Sequence, residues 1–221
     1  MGEALTMKAF RISLLAVFAL FLALAPTALA DTLELTGVGN NGVYDGIYIG
    51  PYVATIDGVA NTPVICDDFA HESYLWSPWT ANLSTAPTFA NVRFSTANYE
   101  DVAYLADQLF NVGGNDAEAD ALQFAIWYIN DPSGVTSFLG ASNPFLTGTG
   151  SVDDVMYWVD QAEANATPAD LANILIYTPS DGGDPQEFIV QTPEPASILL
   201  LVMGLVGLLL LKRRQKLVAT A

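Results

Sequence analysis

The residues able to do covalent chemistry are few. Cys66 is the only cysteine among 221 residues, so no internal disulfide is open to it. With a single histidine as well, the chain falls short of a structural zinc site, and no metal or other cofactor is implied. Asp67 and Asp68 follow directly and disfavour the thiolate, which makes Cys66 a poor redox or protease nucleophile in isolation. The plainest alternative is a small apolar core residue. His71 lies near enough in sequence to assist acyl transfer, or serves as an ordinary hydrogen-bonding surface residue. Oxygen ligands crowd residues 115–120 and 180–184, but neither run has the EF-hand order, and capping or turn chemistry explains both. There is no glycine-rich phosphate loop and no repeat, and the chain is read as no enzyme in the turnover sense.

The elements that must position these residues change in kind along the chain. From Asp31 to Phe69, Gly, Val, Ile, Thr and Tyr dominate, with alternation in 46–50 and 52–56 and Gly/Asn/Asp turns between, which predicts short antiparallel strands. Pro51 marks a bulge or an edge. Residues 70–95 read as a loop-rich connection with one strand about Asn91–Phe94. A helical period then follows: Tyr99, Val102, Ala103, Ala106, Leu109 and Phe110 share a face, with Ser95 or Thr96 as cap. A second helix is expected over 117–130, ended by Asp131-Pro132-Ser133-Gly134, and a third over 152–165 with Ser151 as cap. Residues 173–177 and 187–190 read as two strands around the turn at 179–185. The sum is an α+β domain with short antiparallel strands, a central segment of about three helices and a C-terminal strand pair.

Charge divides the chain into three. Between Asp31 and Pro193 there are 22 carboxylates and one cation, Arg93, a formal charge of −21 against −17 for the whole. That excludes nucleic acid and anionic membrane faces as electrostatic partners, and casts the carboxylates as a solvated, self-repelling surface. Residues 1–30 have the layout of a signal peptide: Lys8 and Arg11, an apolar stretch, and Ala28-Leu29-Ala30, with Met7 as the natural start of that pattern. The exported domain is then 31–191. Residues 192–216 hold Pro193-Glu194-Pro195, an uncharged stretch over 196–211 read as a transmembrane helix, and a basic stop at Lys212, Arg213 and Arg214.

This tripeptide, apolar helix and basic end, beside a signal peptide, resemble the PEP-CTERM sorting signal of Gram-negative bacteria. The resemblance implies processing by an exosortase-type membrane protease, an inner-membrane anchor before processing, and an outer-surface or extracellular destination, in hosts that commonly make exopolysaccharide. A second resemblance concerns the exported domain. Leu122-Gln123-Phe124-Ala125-Ile126-Trp127, preceded by Ile65-Cys66-Asp67, is similar to the thioester domains of bacterial surface adhesins, with Tyr177-Thr178-Pro179 and Gln186 in keeping with their endings. It implies that Cys66 supplies the sulfur and Gln123 the acyl carbon of an internal thioester. Such a bond needs water kept out, for which Phe69, Trp76, Phe124 and Trp127 are candidates. It would link once to an amine- or hydroxyl-bearing surface target. The alternative is a passive matrix or polysaccharide-associated protein with no thioester.

Overall fold

The computed structural model describes residues 31–87 and 89–192. The expected signal peptide (1–30), Pro193-Glu194-Pro195, the apolar stretch 196–211 and Lys212, Arg213 and Arg214 lie outside the described residues. Among those described, no helix is long and apolar enough to cross a membrane.

Among the described residues the domain has eight strands and five α-helices. The strands are β1 (Asp31–Gly37), β2 (Val43–Tyr44), β3 (Ile47–Tyr48), β4 (Tyr52–Ile56), β5 (Val59–Cys66), β6 (Trp79–Thr85), β7 (Ile174–Pro179) and β8 (Phe188–Gln191). Six of them close an antiparallel barrel in the order β1-β4-β5-β8-β7-β6, and β2 and β3 form a separate hairpin. Closure removes free edges, which suits a chain with one cation and no lysine in this region to guard them. Two Asp-Gly pairs set the tight turns. Asp45-Gly46 joins β2 to β3 and Asp57-Gly58 joins β4 to β5, all four residues with positive φ, as a two-residue hairpin of type I′ demands.

Alternation works as expected in β4, where Tyr52, Ala54 and Ile56 are the buried set and face Leu33 and Leu35 of β1. At the end of β5 the pattern changes, and Val64, Ile65 and Cys66 are all buried. Both faces of the strand are covered there. Val64 pairs with Tyr52 and Cys66 with Phe188, so these four share one face, while Ile65 and its partner Ile189 share the other.

The helices are inserted between β6 and β7: α1 (Thr96–Asn111), α2 (Asp116–Asn130), α3 (Pro132–Leu139), α4 (Pro144–Thr147) and α5 (Val155–Asn165), followed by a 3₁₀ turn, Asp170–Asn173. Ser95 caps α1, accepting the Asn98 N–H at 3.1 Å, and the expected face of α1 is buried except for half-buried Phe110. In α2, Ala119 and every residue from Ala121 to Trp127 are buried. A helix apolar all round is an interior helix, packed here on α1, α3 and α5.

The mixed α+β class holds, with four departures from the sequence expectation. The connection 70–95 contains β6, which closes the barrel against β1 and β7, and no strand lies at Asn91–Phe94. β6 buries Ala81 and Ser84 while exposing Leu83, so it carries no apolar alternation to read. Asp131-Pro132 starts α3 as well as ending α2: Pro132 is at its first position and the Asp131 carboxylate accepts the Gly134 N–H at 2.9 Å. The helix expected from Val152 begins at Val155, because the Asp154 carboxylate accepts from Ser151 N–H and holds residues 151–154 as a turn. With α3 and the short α4 added, the three expected helices become five.

Candidate functional site

Cys66 ends β5 and Gln123 lies mid-way along α2, and the fold brings them together. The Gln123 side-chain Nε2 donates to the Cys66 main-chain oxygen at 2.7 Å, and its Oε1 accepts the Gly50 N–H at 3.2 Å. Both Cys66 and Gln123 are fully buried. Gly50 fits because it has no side chain, since a Cβ there would sit 2.6 Å from Gln123 Oε1. The Cys66 thiol donates to the Asp68 carbonyl at 3.3 Å and its sulfur accepts the Asp68 N–H at 3.4 Å. Burial pushes the thiol well above its ordinary range.

Aromatic rings wall the pair. Phe124 and Trp127 are buried beside Gln123 on α2 and meet edge to face at 5.1 Å; Phe69 packs on Trp127 at 5.2 Å and Tyr44 on Phe124 at 5.2 Å. Trp76, a sequence candidate for this wall, is 67% exposed and takes no part in it, because the turn after Leu75 aims it outward with a positive φ. Trp127 also lines an open cleft of about 700 Å³, together with Tyr48, Tyr52, Phe69, His71 and Glu72. The cleft runs from solvent to the aromatic wall of the pair.

Directly after Cys66 the chain enters a buried polar cluster that the sequence did not disclose. Three carboxylates assigned by charge counting to the solvated surface, Asp67, Asp68 and Glu187, are buried. Asp68 is tied to Arg93 through Nη1 and to His71 Nδ1 at 2.9 Å. Arg93 Nη2 also donates to the carbonyls of Gly183 (2.7 Å) and Pro185 (2.9 Å), clamping the β7–β8 connection. Glu187 accepts from the Tyr99 and Thr178 hydroxyls and from Arg93 N–H. Asp67 has no donor for either oxygen among the described residues, and burial, then the Glu187 charge, push its carboxyl well above the carboxylate range. A protonated Asp67 donates to the Glu187 side chain, which gives the buried Asp67 carboxyl a partner. The same cluster takes in Gln186, whose Nε2 donates to Asp68 O at 3.0 Å, and Asn130, at the end of α2, which donates to Asp67 O at 2.9 Å.

Of the sequence candidates, Cys66 and Gln123 are brought together and His71 is not part of the pair, its ring nitrogen being engaged with Asp68. The acidic run 115–120 opens α2, where Asn115 Nδ2 donates to the Glu118 carboxylate, and the run 180–184 is a turn in which Asp181 accepts from Gly183 N–H. Among the described residues no group of three or more His, Cys, Asp and Glu side chains is placed to hold a metal ion. Gly50 and Arg93 were missed as site residues. Arg93 had a signal, being the sole cation of the region, whereas Gly50 had only its place before Pro51.

Comparison with known families matches residues 191–214 to the PEP-CTERM protein-sorting motif. The chain carries a PEP-CTERM signal. That signal marks a membrane-anchored precursor, processed by an exosortase, that ends up exported. The matched segment begins inside β8, so the PEP-CTERM signal abuts the folded domain: Thr192 N–H still bonds Asn173 O at 2.8 Å and its hydroxyl bonds Ala172 O. No curated protein and no solved structure matches the chain, and the resemblance of residues 31–191 to thioester domains has no counterpart in these comparisons.

Proposed function

We propose that this exosortase-sorted protein carries an internal Cys66–Gln123 thioester and uses it once, to attach covalently to an amine- or hydroxyl-bearing surface target. The observation that carries the reading is the hydrogen bond from the Gln123 carboxamide to the main chain of Cys66, inside an aromatic-walled, buried site. Addition of the Cys66 thiol to Gln123 Cδ forms the S–C bond, the thiol proton passes to the carboxamide nitrogen, and ammonia leaves as the C–N bond breaks. The product is stable only while water is kept from it, a role for Phe69, Phe124 and Trp127. An outside nucleophile entering by the Trp127-lined cleft attacks the same carbonyl, takes the acyl group and returns the thiol to Cys66. Each molecule therefore reacts once.

A second reading is favoured by the fact that both ends of the Gln123 carboxamide already have partners. In it the bond to Cys66 is a structural tie between α2 and the barrel, and the protein is a passive matrix or polysaccharide-associated component. Treatment of the full chain with methylamine separates the two. The thioester reading expects methylamine on Gln123 and, in the same molecules, a newly alkylatable Cys66. The passive reading expects Gln123 unmodified.

A further inference from the structure

Two groups beside the pair are not explained by packing. Gly50 directs its N–H at Gln123 Oε1 and leaves no room for a Cβ, at 2.6 Å from that oxygen. Trp127 Nε1 is buried with no hydrogen-bond partner among the described residues, an uncommon and costly condition for an indole N–H. One helical turn after Gln123, it shares the Gln123 side of α2, and the Cys66 sulfur is the group beside it able to accept. A buried donor left waiting beside a reacting atom gains a partner when charge develops there.

We propose that Gly50 and Trp127 are catalytic donors of the thioester reaction: the Gly50 N–H stabilises the oxyanion on Gln123 Oε1, and the Trp127 indole N–H stabilises the developing negative charge on the Cys66 sulfur. This rests on the thioester reading and adds two residues to it. As the S–C bond forms, the carbonyl π electrons move onto Oε1, where the Gly50 N–H already points. As the tetrahedral adduct collapses, that charge returns to the carbonyl and ammonia departs with the thiol proton. In the reverse sense, attack by an outside amine raises charge on the same oxygen and expels sulfur as thiolate towards Trp127. The same two donors thus serve formation and use, and the Gln-to-Trp spacing in Leu122–Trp127 follows from one turn of helix.

The test follows ammonia loss from the Gln123 peptide in newly synthesised full-length chains, with Gly50→Ala and Trp127→Phe beside the parent. Trp127→Phe keeps a ring in the wall and removes only the N–H. Expected are rates lower by about 10²-fold for Gly50→Ala, whose Cβ holds Gln123 Oε1 off the residue-50 N–H, and about tenfold for Trp127→Phe, with near-ultraviolet circular dichroism unchanged. The Gly50→Ala, Gln123→Ala double variant removes the clash; a folded double variant shows that the backbone tolerates alanine, and if Gly50→Ala alone fails to fold, Trp127→Phe decides. Parent-like rates in the folded variants overturn this assignment while leaving the thioester standing. A parent chain that never loses ammonia overturns both.

Discussion

Arg93 joins Asp68, after β5, to Gly183, Pro185 and Glu187, between β7 and β8, through its two terminal nitrogens and its main chain. Charge counting exposed its solitude but not its place, since a lone cation among 22 carboxylates has no preferred partner until burial chooses one. Of the three buried carboxylates, Asp68 is the one that the Arg93 side chain meets. Arg93→Ala strands that carboxylate in the interior and is expected to destabilise the domain by about 3–5 kcal/mol, read from urea denaturation. Arg93→Lys should recover little, because an ammonium cannot reproduce the planar fork. Asp67 supplies a second prediction. Its folded-state pKa is raised, so protonation favours the fold; the contribution is complete below the ordinary value of 3.8 and is lost as pH climbs through the raised value. Asp67→Asn keeps a donor for Glu187 without titrating, and should flatten the fall in urea midpoint between acid and neutral pH.

Among the elements, legibility followed periodicity. α1 and α2 were readable because apolar residues recur at helical spacing and Ser95, Asp116 and Glu118 mark the starts. The alternation of β4 was readable for the same reason. β6 was not: a strand whose buried positions are Ala81 and Ser84 leaves no apolar trace, and only its pairing with β1 and β7 defines it. The meeting of Cys66 with Gln123 depends on these long-range pairings, so sequence supplied the two residues through resemblance and the barrel supplied the contact. Phe188 tests that dependence. It is the strand partner of Cys66 and meets the rings of Tyr52 at 6.1 Å and Trp79 at 6.4 Å, and it is fully buried. Phe188→Ala should cost about 3–5 kcal/mol, measured by denaturant midpoint, and should slow any Cys66–Gln123 reaction with it.

At the scale of the molecule, the exported region carries −21 charges around one buried ion pair cluster. Repulsion among the exposed carboxylates opposes the compact state, and salt screens it, while the Arg93–Asp68 pair is too buried to be screened much. The melting temperature at neutral pH should therefore rise with added sodium chloride. Acid should help in the same direction. Asp120, half-buried on α2 beside Asp116, is raised to about 6, so its contribution is complete below about 4 and is lost as pH passes through 6. The domain is expected to melt higher at pH 5 than at pH 8, and a melting temperature lower at pH 5 would contradict this. The PEP-CTERM signal sets where such a molecule works, with β8 running straight into the sorting segment.

The covalent claim is tested most directly by the mass of the joined Cys66 and Gln123 peptides, released from the full-length chain by proteolysis under acidic, non-nucleophilic conditions. The account predicts one cross-linked species lighter than the two peptides together by one ammonia. Two separate peptides at full mass, with Cys66 as a free thiol and Gln123 as an intact carboxamide, would contradict it.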